Sequence, residues 1–133
     1  MGLRLVFGQV SNEFITYLSI LTLLLIIAIS LNYGIYPQLI YQKVYREAEE
    51  MAEDVAFEIN LALRAGDGYS REFYLEKTLS GIRNFSVEVK DYLVTVRWKD
   101  GYASSPIGIE TIEGSIKKGR NLIKNVGGKI YVE

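Results

Sequence analysis

The order of apolar and polar positions divides the chain into three regimes. From Phe14 to Tyr36, 23 residues carry no charge, and the stretch Leu18–Leu31 is dense in Leu and Ile. As a helix rising ~1.5 Å per residue this run covers roughly 35 Å, enough to cross a hydrocarbon core of about 30 Å. Its hydroxyls, Thr16, Ser19, Thr22 and Ser30, can bond back to helix carbonyls and so are tolerated in lipid. From Gln38 to Arg64 the apolar residues Ile40, Val44, Ala48, Met51, Val55, Ile59 and Ala62 recur every three or four positions. Lys43, Arg46, Glu49, Glu50, Glu53 and Asp54 hold the opposite face, an amphipathic helical pattern with Arg46 and Glu50 spaced to pair. Between the two runs, Gly34 and Pro37 predict a kink or short break, because proline lacks the amide and crowds the preceding turn. Tyr33, Tyr36, Tyr41 and Tyr45 flank that point, a placement typical of a membrane–water boundary.

After Ala65-Gly66-Asp67-Gly68, which stops the helix, the period changes from 3.6 to 2. Phe85, Val87 and Val89 share one face of a strand, and Tyr92, Val94, Val96 and Trp98 share one face of the next, with a turn at Lys90-Asp91. Asp100-Gly101 and Gly127-Gly128 are further turn signals. Arg71–Leu75, Ile107–Ile116, Asn121–Val126 and Lys129–Val132 are the other strand candidates. The expected fold class is α+β. A long N-terminal helix, apolar in its first half (14–36) and amphipathic in its second (38–64), precedes a C-terminal antiparallel all-β head of about five to seven strands at 69–133. The apolar face of that head is expected to pack on the amphipathic half of the helix.

Composition narrows the chemistry. Of 133 residues, none is cysteine or histidine, and the formal net charge is −1. Disulfides, thiolate chemistry and the commonest general base and metal ligand are all excluded. Catalysis would have to rely on Asp, Glu, Lys, Tyr and Ser, and no triad, phosphate-cradling glycine motif or metal spacing is present. No enzyme, cofactor or metal is expected. The acids of the amphipathic helix read as a solvated face, since paired-metal sites of that kind use His beside Glu. The balanced charge gives no field that would draw nucleic acid, and Lys117, Lys118, Arg120 and Lys124 read as a solvated turn.

The short polar segment ahead of the apolar run is the most specific feature. It reads Gly8-Gln9-Val10-Ser11-Asn12-Glu13-Phe14. A cleaved secretory signal fits poorly, because the apolar run is too long and no small-x-small site follows it. The charges do not settle orientation: Arg4 precedes the run and Lys43 and Arg46 follow it among acids. The segment resembles the processing site of archaeal type IV prepilins, the class III signal peptide. The resemblance implies a leader of residues 1–8, cleavage between Gly8 and Gln9 by a membrane-embedded prepilin peptidase, and a mature helix from Gln9 to about residue 65. The position before Gly8 is Phe7, where many such leaders have Lys or Arg. Ser11 and Glu13 fall third and fifth in the mature chain, where the family has Ser and Glu.

That resemblance gives Glu13 a role. A carboxylate at the centre of a membrane helix costs ~2.5–3.5 kcal/mol, less at the edge, unless it finds a partner. Cleavage before Gln9 creates an α-amino cation one helical turn away from Glu13. In the family this Glu pairs with the N-terminus of a neighbouring subunit, so that an unpaired charge penalises the wrong stagger. The implied partners are identical subunits in a helical filament, the prepilin peptidase, the pilus assembly machinery and, before assembly, the cell membrane. The implied function is a structural and adhesive subunit of an extracellular surface filament. The alternative is a membrane-anchored extracellular β domain that never polymerises and serves as an envelope or secretion-machine accessory. Asn84-Phe85-Ser86 is an N-glycosylation sequon, which makes Asn84 a candidate glycan site.

Overall fold

The structure, a computed structural model, describes residues 11–133 with their side chains. It contains one helix, α1 (Gly2–Ala65), followed by seven strands: β1 (Ser70–Leu75), β2 (Phe85–Lys90), β3 (Leu93–Trp98), β4 (Gly101–Pro106), β5 (Glu113–Gly114), β6 (Gly119–Val126) and β7 (Lys129–Val132). This is the expected α+β order of a long N-terminal helix and a C-terminal β domain. The chain forms two compact units, Met1–Ile40 and Tyr41–Glu133, so the amphipathic part of α1 belongs with the strands.

In the first unit the backbone remains helical through Gly34 and Pro37, where the sequence predicts a break. A proline in a helix forfeits one hydrogen bond and crowds the preceding turn, at a cost of ~3 kcal/mol. Leucine, a strong helix former, is frequent in the turns before it (Leu18–Leu31) and returns at Leu39, which favours continuing the helix across it.

The second unit is built on the predicted amphipathic face. Val44, Ala48, Met51, Ala52, Val55, Ala56, Ile59 and Ala62 are buried in one cluster with residues from both sheets, among them Leu75, Val94, Trp98, Ile123 and Ile130. Alanines at four of these helix positions allow close approach, while Ile59 fills the core and is fully buried; an Ile→Ala change at such a site costs about 2–5 kcal/mol. The helix stops at Ala65 because Gly66 and Gly68 take positive φ (83° and 89°), open to glycine without strain. Arg46 and Glu50 do not form an ion pair within 4.0 Å among the described residues; Lys43 and Glu47 do, at 4.0 Å.

The strands form two sheets, ordered β1-β6-β7-β5 and β2-β3-β4. All pairs are antiparallel except β5–β7. β2 and β3 register with Lys90 opposite Leu93, so the central turn residues are Asp91 and Tyr92, one step later than the sequence predicts. Both take positive φ (54° and 64°), and Tyr92 stands exposed in the turn instead of on the inner face of β3. Two further differences have clear causes. Residues 107–116 yield only the two-residue β5, because Ile107, Ile109, Ile112 and Ile116 abandon a period of two after Ile109. Gly101–Pro106, a stretch of small residues with weak strand propensity, is nevertheless strand β4. Pairing with β3 holds it there, and Ala103 and Ser105 are buried where bulkier side chains would not fit.

Candidate assembly surface and modification site

The first unit presents its apolar residues outward. Between Phe14 and Ile40, 18 large hydrophobic side chains are exposed, from Tyr33 at 79% to Ile27 at 46%. Its most apolar 18-residue stretch has a mean hydropathy of 2.5 and none of it is buried, so this helix is long and apolar enough to cross a membrane. A soluble monomer rarely leaves a patch beyond a few hundred Å² uncovered, and this surface is compatible with anchoring in a membrane. The serine, threonine and Asn32 side chains within it bond back to the helix. Thr16 donates to the Asn12 carbonyl at 2.9 Å, Ser19 to Ile15, Thr22 to Leu18 and Ser30 to Ile26, each at 2.8 Å, and Asn32 to Ala28 at 3.1 Å. Each hydroxyl or amide returns to the carbonyl one turn back, the adjustment expected of a helix in an apolar medium.

Glu13 is the charged residue at the N-terminal end of that run. It stands exposed on α1 and forms no ion pair among the described residues. Ser11 is likewise exposed on the same helix. Gly8 and Gln9, the residues on either side of the expected cleavage point, lie outside the described residues. Of the tyrosines around residue 37, Tyr33 and Tyr36 are exposed in the first unit. In the second unit Tyr45 lies edge-on to Trp98, with ring centroids 6.4 Å apart.

Asn84 sits in the loop that enters β2, exposed together with Ser86, so the sequon is open to solvent. Two anchors hold that loop. Leu79 and Ile82 exchange backbone hydrogen bonds at 2.9 and 2.8 Å, and the Ser80 amide between them donates to Glu47 Oε2 on α1 at 2.5 Å. At the two neighbours of Asn84, Lys118 Nζ donates to the Arg83 carbonyl and lies 4.4 Å from the centre of the Phe85 ring. The sequence shows the sequon but not these anchors, since Glu47, Arg83 and Lys118 lie far apart along the chain.

The second unit is tied together by two buried asparagines that no sequence pattern singles out. Asn125 donates to the Ala62 carbonyl at 2.9 Å and accepts from Gly128 N at 3.0 Å. Asn121 donates to the Lys117 and Gly119 carbonyls and accepts from Lys117 N. Among the described residues no group of three or more acidic side chains is placed to hold a metal ion. Comparison with protein-family models, with curated proteins and with solved structures returned no match.

Proposed function

We propose that this chain is the subunit of an archaeal type IV-like pilus, made as a prepilin and trimmed between Gly8 and Gln9. In this reading α1 resides in the cell membrane before assembly. It then packs against α1 of identical subunits to form the core of an extracellular filament, with the β head as the outer, adhesive surface. The protein is a substrate of the prepilin peptidase and not itself an enzyme. The observation that carries the proposal is a juxtaposition. The Gly8-Gln9-Val10-Ser11-Asn12-Glu13 motif stands immediately before the Phe14–Ile40 run of α1, whose large apolar side chains are all exposed. Glu13 is the one carboxylate on that exposed surface between Ser11 and Ile40. In a bundle of such helices a lone carboxylate penalises every stagger except the one that supplies a cation.

Two measurements test it. The mass of the N-terminal peptide from native cells is expected to begin at Gln9; an intact Met1 or Gly2 terminus refutes the processing and leaves a membrane-anchored β domain. A cyclised Gln9 removes the proposed cation and refutes the pairing of Glu13. Glu13→Ala is expected to keep membrane insertion while abolishing or misregistering filaments recovered by shearing. Normal assembly of that variant refutes the register role.

A further inference from the structure

A groove of about 600 Å³ runs along the free side of β2, between that strand and residues 110–116. It continues, through shared Val87 and Ile116, into a second hollow of about 350 Å³ beside Phe85, Lys117 and Lys118. Both β2 and β5 are terminal strands of their sheets, so the groove separates two open sheet edges. In a two-residue hairpin the pair that closes the turn, here Lys90 and Leu93, exchanges hydrogen bonds, and the bonded pairs then alternate. Phe85, Val87 and Val89 therefore direct their amides and carbonyls away from β3, into the groove. Among the described residues none of these groups meets another backbone group outside the β2–β3 pair. No proline or bulge blunts this edge, the usual protections of an exposed strand.

The floor and ends of the groove are equally specific. Val87, Val89, Ile112 and Ile116 are half-buried and pack against the core, giving an apolar floor spaced for every second residue of a strand. Towards the turn the walls carry Glu88, Asp91 and Glu110 against a single cation, Lys90, which lies 4.0 Å from Asp91. At the Phe85 end Lys117 and Lys118 reverse the sign. The groove thus offers unpaired backbone groups, an alternating apolar floor and a charge gradient along its length.

The geometry points to this groove as a strand-addition site for an extended peptide segment of another protein. That segment is apolar at every second residue, basic near its N-terminal end and acidic near its C-terminal end, and lies antiparallel to β2. Backbone hydrogen bonds to Phe85, Val87 and Val89 hold it, and the alternate side chains and end charges select it. This site does not depend on filament formation and is built from residues of the second unit alone.

The test uses the full chain in detergent micelles and the peptide acetyl-Lys-Val-Lys-Val-Glu-Val-Glu-amide. Saturable amide shifts are expected on β2 and residues 110–116, with hydrogen exchange at Val87 and Val89 slowed about tenfold or more at saturation. Methylating alternate peptide nitrogens, or exchanging the Lys and Glu positions, is expected to weaken binding at least about tenfold, since each removes one element of recognition. Val87→Pro removes an outward amide without touching the β3 pairing and is expected to abolish binding; the methylated peptide makes the same test on a protein that is unchanged. No saturable shift at millimolar peptide, or equal binding of the methylated peptide, overturns the proposal. So does protection of Val87 and Val89 that rises with protein concentration alone, which would assign the edge to a second copy of this chain.

Discussion

Asn125 offers the sharpest test of how the second unit holds together. It is 2% exposed, near the end of β6, and its side chain reaches the last turn of α1. The carbonyl of Ala62 is one of the four at the end of a helix that have no intrahelical donor, and Asn125 Nδ2 supplies one at 2.9 Å. Its Oδ1 also accepts from Gly128 N at 3.0 Å, which fixes the β6–β7 turn. Asn125→Ala removes both bonds. Gly128 is exposed and water replaces its partner, a loss of ~0.5–1 kcal/mol. Ala62 is fully buried, so stranding its carbonyl adds ~1–3 kcal/mol. The expected destabilisation is about 1.5–4 kcal/mol. Trp98, the sole tryptophan, is buried in the same core and reports unfolding by its fluorescence. In urea, with a slope of ~1–3 kcal/mol per molar, the midpoint of the full chain in micelles should fall by ~0.5–4 M at unchanged slope. Asn125→Asp adds a sign. A carboxylate facing the Ala62 carbonyl is favoured only when protonated, so its folded-state pKa is raised. Its deficit against the wild type should then be small near pH 4 and grow as pH rises toward 7, since an unfolded Asp titrates at ~3.9. A shift below about 1 kcal/mol for Asn125→Ala, or a pH-independent deficit for Asn125→Asp, would refute the account.

Three further outcomes are expected. Tyr92→Gly should stabilise the head by ~0.5–1 kcal/mol in the same urea assay, because Tyr92 is held at φ 64° in an exposed turn where glycine adopts that conformation freely. Gly114→Ala should cost at least ~2 kcal/mol and expose the amides of β5 to exchange, since a Cβ at φ 97° would collide with the Val132 carbonyl. Asn84→Gln should remove a glycan mass from the protein of native cells without moving the urea midpoint by more than ~0.5 kcal/mol, as befits an exposed loop residue; an unchanged mass would show that Asn84 carries no glycan.

Much of this architecture is legible from spacing alone. Every three or four residues from Val44 to Ala62 an apolar side chain recurs, and that face is the one buried. Period-two alternation in Phe85–Val89 and Tyr92–Trp98 and the Gly127-Gly128 turn likewise mark strands that form. The register of Trp98 with Gly101, however, puts the β3–β4 turn at Lys99-Asp100, one step before the expected Asp100-Gly101. The readings that failed are those decided by contacts between distant segments. Gly101–Pro106 has little strand propensity and becomes β4 because β3 offers it a register. Ile107–Ile116 has the composition of a strand, yet its isoleucines are drawn onto the core at irregular intervals and only Glu113-Gly114 pairs. Tyr92 belongs to the turn because the register of Lys90 with Leu93 leaves two residues to reverse the chain.

For the candidate sites the division is the same. The Gly8–Glu13 motif, the apolar run and the Asn84 sequon are local patterns, and each can be read without knowing what any residue touches. The groove along β2 cannot. It exists because two sheets end side by side and the segment from Glu110 to Ile116 pairs too briefly to close the gap. The asparagine that caps α1 lies 63 positions from the carbonyl it serves, and no periodicity encodes so distant a partner. Periodicity in the sequence determined which elements form and which faces they bury, because those follow from each segment's own geometry in water. Which strand edges stay open, and which polar groups must meet inside, were decided only when the segments packed.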